Sequence, residues 1–339
     1  MELDIWKEIS LYLPYNHVAV TKSLLEIYDE SWFKSKVLLQ YPSCSQNNKW
    51  EYLYRKLLQS GNIMKYNIDD NTVESLLTEG IKIAGCDTFG RTDLILTFDG
   101  NLFVRDRGTG STKLVDNNVK DIDESSYIKE YEWYFIDEGG SRLMMKSEQA
   151  LIMIESTSDH IGVITETNFY HVNLEERYGD NGGYNGDFQI NTFLSKNKYV
   201  KLVANDYFYL QNEDGTVDEY NQHDNIYKIF NIPLIKKIFS EVAELINGSK
   251  LYFNYDFEPD TPIFTNFAIE NIDGKLQQTI DYYGQPLILI DNNVCQLKNN
   301  KSSLNESYDP NGEVSYSLQL IHRNVKNILG RCGRIHFII

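Results

Sequence analysis

Six histidines, four cysteines and 49 acidic residues are the side chains of this 339-residue chain with the most capacity for chemistry. Their spacing gives them little to do. His160, His171, His223 and His322 are dispersed, and no HxH or HExxH spacing sets two imidazoles on one zinc ion. His17 and His336 stand alone. Cys44, Cys86, Cys295 and Cys332 form no CxxC pair and read as small buried residues of a reducing compartment. A GxSxG elbow, a Walker loop and a GxGxxG unit are all missing. Asp180, Asn181, Asn185 and Asp187 offer oxygens to calcium, but their spacing departs from the known binding loop, and the interspersed glycines imply a surface excursion. Glu258 and Asp260, beside Pro259 and Pro262, read as a solvated turn. Carboxylates converging from separate strands in a channel would make a glycan hydrolase, yet no recognisable pair points to one. The chain is therefore expected not to be an enzyme and to need no catalytic residue, cofactor or metal.

Composition narrows the remaining classes. An apolar fraction of 42%, with 13% aromatic, is too high for a disordered chain. The 24 tyrosines and 16 phenylalanines favour β structure, where aromatics pack well on pleated faces. Net charge is -17 and uneven. Residues 1–60 hold seven basic and seven acidic side chains, leaving 25 basic and 42 acidic on the rest. Such a body repels polyanions, so nucleic-acid binding is not expected. No secretion signal and no run of 18 apolar residues is present, which predicts a cytoplasmic protein without a membrane partner. The glycosylation-type tripeptides at Asn247, Asn300 and Asn305 carry little meaning without such a signal.

The elements change rhythm near residue 80. Before it, Ile5, Trp6, Ile9 and Leu13 fall at helical spacing and Pro14 ends the run. Further helices are predicted over 18–27, 31–39 and 50–58. Each is too short to stand alone, so they must share a core or dock on something. The opening, Leu3-Asp4-Ile5-Trp6-Lys7-Glu8-Ile9-Ser10-Leu11-Tyr12-Leu13-Pro14, resembles the start of an F-box. Ser31-Trp32-Phe33 resembles its closing aromatic helix, and Trp50-Glu51-Tyr52-Leu53-Tyr54 is similar to an extension seen in F-box-like proteins of large DNA viruses. That resemblance covers about 60 residues. It implies docking on the Skp1 linker of a cullin–RING ubiquitin ligase, with Ile5, Ile9, Leu13, Pro14, Val18 and Leu24 in the docking surface or the core beneath it. It also implies a viral protein meeting a host, in the host cytoplasm or in a virion.

After residue 80 an apolar-Lys pair returns at Ile81-Lys82, Val119-Lys120, Val200-Lys201, Ile235-Lys236 and Val325-Lys326, each followed by a strand, a turn and a strand. The clearest hairpin joins Leu94–Phe98 to Asn101–Val104 through Asp99-Gly100. Unit starts are expected near 81, 119, 161, 200, 235, 279 and 325. Repeating units of about 40 residues predict a mainly β protein, with a six- or seven-bladed β-propeller-like body behind a small all-α F-box-like domain. A β-sandwich pair or an irregular all-β domain is the alternative. The hairpins are similar to those of RCC1-like repeats. The organisation read from the chain is a helical domain over 1–61, a linker over 62–80 and a propeller over 81–339, with surface excursions at 175–187 and 299–312. The last start leaves only 15 residues, so a final blade is expected to be completed by strands from just after the linker, or the segment joins a sixth blade. Two functions stay open: an interaction adaptor, as the substrate receptor of a Skp1–cullin ligase, or a structural, self-associating protein without a ligase role.

Overall fold

The computed structural model describes residues 28–42, 44, 49–67, 70, 72–86, 92–137, 140–157, 160–174, 189–195, 198–204, 208–221, 226–230, 235–238, 242–245, 250–252, 276–280, 287–299, 316–331 and 334–339. Two helices come first, α1 (Glu30–Gln40) and α2 (Trp50–Gln59). Asp29 starts α1 by accepting the Trp32 N–H on its carboxylate at 2.9 Å. Glu30 in turn accepts the Trp50 N–H at 2.6 Å, so α1 caps the first turn of α2. The helices expected over 4–13 and 18–27 lie outside the described residues.

The regular elements described after α2 are all strands, and they pair antiparallel. Strands β3 to β6 (82–116) form a first four-stranded blade and β7 to β10 (121–146) a second. A third blade is β11 to β14 (153–194) and a fourth β15 to β18 (199–230). A three-stranded sheet, β19 to β21 (235–252), precedes a penultimate blade, β22 to β25 (276–323). The closing blade is composite, in the order β2-β1-β27-β26. It joins β26 (Asn327–Arg331) and β27 (Arg334–Ile338) to β1 (Gly61–Asn67) and β2 (Thr72–Gly80). The first strand of one blade touches the first strand of the next along β26, β3, β7, β11 and β15, and again between β22 and β26. This is a β-propeller arrangement, not a pair of sandwiches.

The closing blade corrects one expectation. Residues 62–80 are not a linker: they hold strands β1 and β2. Ile63 pairs with Ile338 and Tyr66 with Ile335, while Asn62 and Ile339 exchange backbone hydrogen bonds at 3.1 Å. The polar residues at 67–71 hid two strands, the first of which buries Gly61, Ile63 and Tyr66. Ring closure by strands from both ends removes the open sheet edges that each half would expose.

The apolar-Lys marker has a physical meaning. Val119 N–H donates to the Gly100 carbonyl at 2.9 Å, across from the first blade's central hairpin turn. The same bond recurs from Leu151 to Glu130, from Tyr199 to Glu166 and from Val325 to Asn292, at 2.7 to 2.9 Å. All four donors are at most 3% exposed, so each of these four blades is entered through a buried residue whose backbone N–H is bonded to the turn before it. One start was misplaced: the Ile161–Ile164 segment is β12 (His160–Ile164), the second strand of its blade, after β11 (Met153–Ser156). All five residues of β12 are buried, and that run of apolar side chains drew the start away from the more polar β11.

Candidate functional site

The two helices are built into the propeller. Trp32, Phe33, Val37, Leu53, Tyr54 and Leu57 share one core with Ile81, Leu94, Leu96, Phe98, Val119 and Ile122 of the first two blades. Trp32 and Tyr54 meet edge-on at 5.4 Å, and Tyr41, just after α1, packs on Phe98 at 4.4 Å. The Tyr41 hydroxyl donates to the Glu79 carboxylate, and burial followed by that contact drives its pKa upward. Lys56 of α2 reaches across and donates from Nζ to the Lys120 carbonyl at 2.9 Å. Burial pulls the Lys56 pKa down to about 8, against the opposing pull of Asp121.

Beside this contact lies the mouth formed by the first strands. Lys82 Nζ is 2.9 Å from Asp121 and 3.8 Å from Glu155. Burial alone would depress the Lys82 ammonium; Asp121, Glu155 and Asp123 outweigh it and hold its pKa above the ordinary lysine value. The carboxylates also serve the fold. Asp121 Oδ2 accepts the Ile154 N–H at 3.2 Å, and Asp123 Oδ2 accepts the Ser156 N–H and, at 2.6 Å, its hydroxyl. Gln278 does the same for the Ile328 N–H at 3.2 Å. Side chains of one blade thus satisfy edge groups of the next blade's first strand. Asp121 and Asp123 are held by these bonds, which suits architecture more than proton transfer.

Exposed apolar side chains lie on the helices: Tyr52 (37%) on α2 and Leu39 (51%) at the end of α1. Tyr52 and Lys56 also pair as cation and ring at 5.0 Å. This face combines aromatic surface with fixed charge, the chemistry of a protein contact. The sequence signals Tyr52 only as a helical residue; its exposure follows from how α2 rolls onto the blades.

Of the residues predicted from the sequence, Ile5, Ile9, Leu13, Pro14, Val18 and Leu24 lie outside the described residues, as do Asp180, Asn181, Asn185, Asp187, Glu258, Asp260 and His223. His160 and His171, read as dispersed, are brought together by the β12–β13 hairpin. His160 Nδ1 and His171 Nε2 are 2.9 Å apart, and His171 Nδ1 is 3.0 Å from the Tyr220 hydroxyl of the fourth blade. Each neutral ring carries one proton, and the chain can run in either direction. Both histidines are at most 2% exposed; burial and then His160 depress the His171 pKa to about 3. Strand alternation around a hairpin was the signal that could have found the pair. No group of three or more His, Cys, Asp or Glu placed to hold a metal occurs among the described residues.

No protein-family model matches the chain, and no curated protein sequence matches it. Its backbone is similar to the crystal structure of human WBSCR16, with a TM-score of 0.55 and 7% identity over 82% of this chain and 99% of that one. A chain in the crystal structure of a mitotic checkpoint complex is similar at a TM-score of 0.46 and 12% identity, over 76% and 88% of the two chains. At such identity the likeness concerns fold alone, and the second is too loose to add to it. No helix among the described residues is long and apolar enough to cross a membrane.

Proposed function

We propose that this chain is a non-catalytic protein-interaction adaptor, acting as the substrate receptor of a Skp1–cullin ubiquitin ligase. The observation that supports it is the single core shared by α1, α2 and the first two blades. A ligase receptor works by holding its target at a set distance from the transferring enzyme. A helical module fused to a propeller through Trp32, Leu53 and Phe98 provides that rigidity. Residues 1–27, whose sequence resembles an F-box, would supply the Skp1 contact, and the propeller would hold the target. The same resemblance makes the protein viral and its setting the host cytoplasm or a virion. The direct test is binding of purified Skp1 to the intact, folded chain. Binding that is lost in Ile9→Asp/Leu13→Asp with helix content retained supports the reading; no binding at micromolar concentrations overturns it.

A second reading, self-association without a ligase role, has its own observation. Leu114, Leu143, Leu194, Leu318 and Leu320 are each 38% exposed or more, and all lie on the outermost strands β6, β10, β14 and β25 of their blades. Light scattering of the isolated chain separates the two: a stable oligomer without Skp1 binding favours the second.

A further inference from the structure

Helices α1 and α2 grip the first two blades through an apolar core, and they reach the closing blade through hydrogen bonds. Tyr41, just after α1, donates its hydroxyl to Glu79 Oε1 on β2. Ser60, the residue that ends α2, donates its own hydroxyl to the same oxygen at 3.3 Å. Glu79 pairs with Asn62 across the β1–β2 ladder, and Asn62 is the residue that exchanges backbone bonds with Ile339. From the other end of the chain comes Lys326, just before β26, with its N–H bonded to the Ile338 carbonyl at 2.7 Å. Its Nζ donates to the Ser60 carbonyl at 2.6 Å, across 266 residues of sequence. That carbonyl lies at the C-terminal end of α2, where helix carbonyls lack partners within the helix and the helix dipole favours a cation. Lys120 makes the same reach at another junction. Its N–H is bonded to the Ile128 carbonyl at 2.8 Å, and its Nζ donates to the Leu151 carbonyl at the entry of the third blade. The lysine that follows an entry residue thus fastens its blade onward, and at the closing blade the fastening falls on a helix end.

We propose that the α1–α2 pair is a latch on ring closure. A two-stranded hairpin has little stability of its own, so the β1–β2 hairpin needs support before it can serve as the template for β27. Tyr41 and Ser60 supply that support through Glu79, while the apolar core holds the helices on the first two blades. The Ser60 carbonyl then receives Lys326 from the C-terminal strands. The latch stands independently of the Skp1 reading, since it concerns the contact of the helices with the ring and not with a partner.

Hydrogen exchange of the intact chain, followed by mass spectrometry on peptides spanning β1, β2, β26 and β27, tests the latch. Lys326→Met keeps the stem and removes the ammonium. Tyr41→Phe keeps the ring on Phe98 and removes only the hydroxyl, so it should fold as the wild type does. Lys113→Met, at an exposed lysine of β6, is the control. Each latch variant is expected to raise exchange of β26 and β27 about three- to tenfold, with β8 and β9 of the second blade unchanged. Lys326 is itself exposed, which places its effect at the lower end. Tyr41→Phe decides the matter, because its partner Glu79 lies on β2 and β1 stands between β2 and β27. A contact of purely local importance would change β2 and the end of α1 and leave β27 as it is. Faster exchange of β27 in Tyr41→Phe than in the control supports the latch. Exchange of β27 equal to the control in Tyr41→Phe overturns it, whatever Lys326→Met does, and reduces Lys326 to a cap on α2.

Discussion

The closing blade and the junction of the third and fourth blades follow one plan and are filled with different chemistry. Around the closing blade, Tyr66, Ile280, Leu287, Leu289, Val294, Val325, Ile328, Ile335 and Phe337 form an apolar cluster, with Tyr66 and Phe337 stacked at 5.0 Å. At the other junction Phe169, Tyr199, Phe208 and Tyr220 surround the bonded His160–His171 pair. An apolar seam holds by area, whatever the pH. A polar seam holds by area plus hydrogen bonds that define one arrangement, and it becomes vulnerable to protonation. The seam where the two ends of the chain must find each other is the apolar one.

Breaking the apolar seam should have the largest effect. Phe337→Ala removes a fully buried ring and should cost about 3–5 kcal/mol in urea denaturation. A loss below about 1 kcal/mol would mean that the closing strands contribute little to the ring. Overpacking the polar seam comes next. A β-carbon at Gly162 would stand 2.7 Å from a ring carbon of Phe169 and 2.9 Å from one of Phe208. Gly162→Ala should therefore destabilise by about 1–3 kcal/mol, as both rings must move.

Acid should discriminate between the seams directly. The His171 pKa is lowered from 6.5 to about 3, so the unfolded chain binds the proton more readily than the folded one. Stability from this group is complete above pH 6.5 and falls as the pH drops towards 3. The slope is at most roughly 1.4 kcal/mol per pH unit. Stability measured from pH 7 to 5 in wild type and His171→Gln should show this component disappearing from the variant. Equal slopes would remove His171 as the source. The smallest effect is expected at Gly100, where φ is +85° and an added β-carbon would meet the Val119 carbonyl at 3.1 Å. Gly100→Ala should cost about 1 kcal/mol, with thermal unfolding as the readout.

Much of the β body was legible because its signals are local. The Asp99-Gly100 turn, with φ +85° at Gly100, sits where its hairpin was predicted. Predicted starts near 81, 119, 200, 235, 279 and 325 fall within three residues of first strands beginning at 82, 121, 199, 235, 276 and 327. The helices over 31–39 and 50–58 appear as α1 and α2. What failed was of another kind. The 62–80 segment looked like a linker because its turn is rich in Asn and Asp and because, beyond the β1–β2 pairing, the strand that holds it in the sheet, β27, lies more than 250 residues away. The candidate site was less legible still. Lys82, Asp121 and Glu155 come from three blades, so the cluster has no linear spacing to find.

The sequence by itself determined α1 and α2, the strand-turn-strand unit and its repetition, because each depends on periodicity and turn chemistry within about a dozen residues. Tertiary structure alone decided that the two ends of the chain close one blade, that α1 and α2 share the propeller's core, and that Tyr220 of the next blade reaches His171. Those outcomes depend on which surfaces meet when apolar faces leave water, and contacts between residues far apart in the chain leave no local pattern to read.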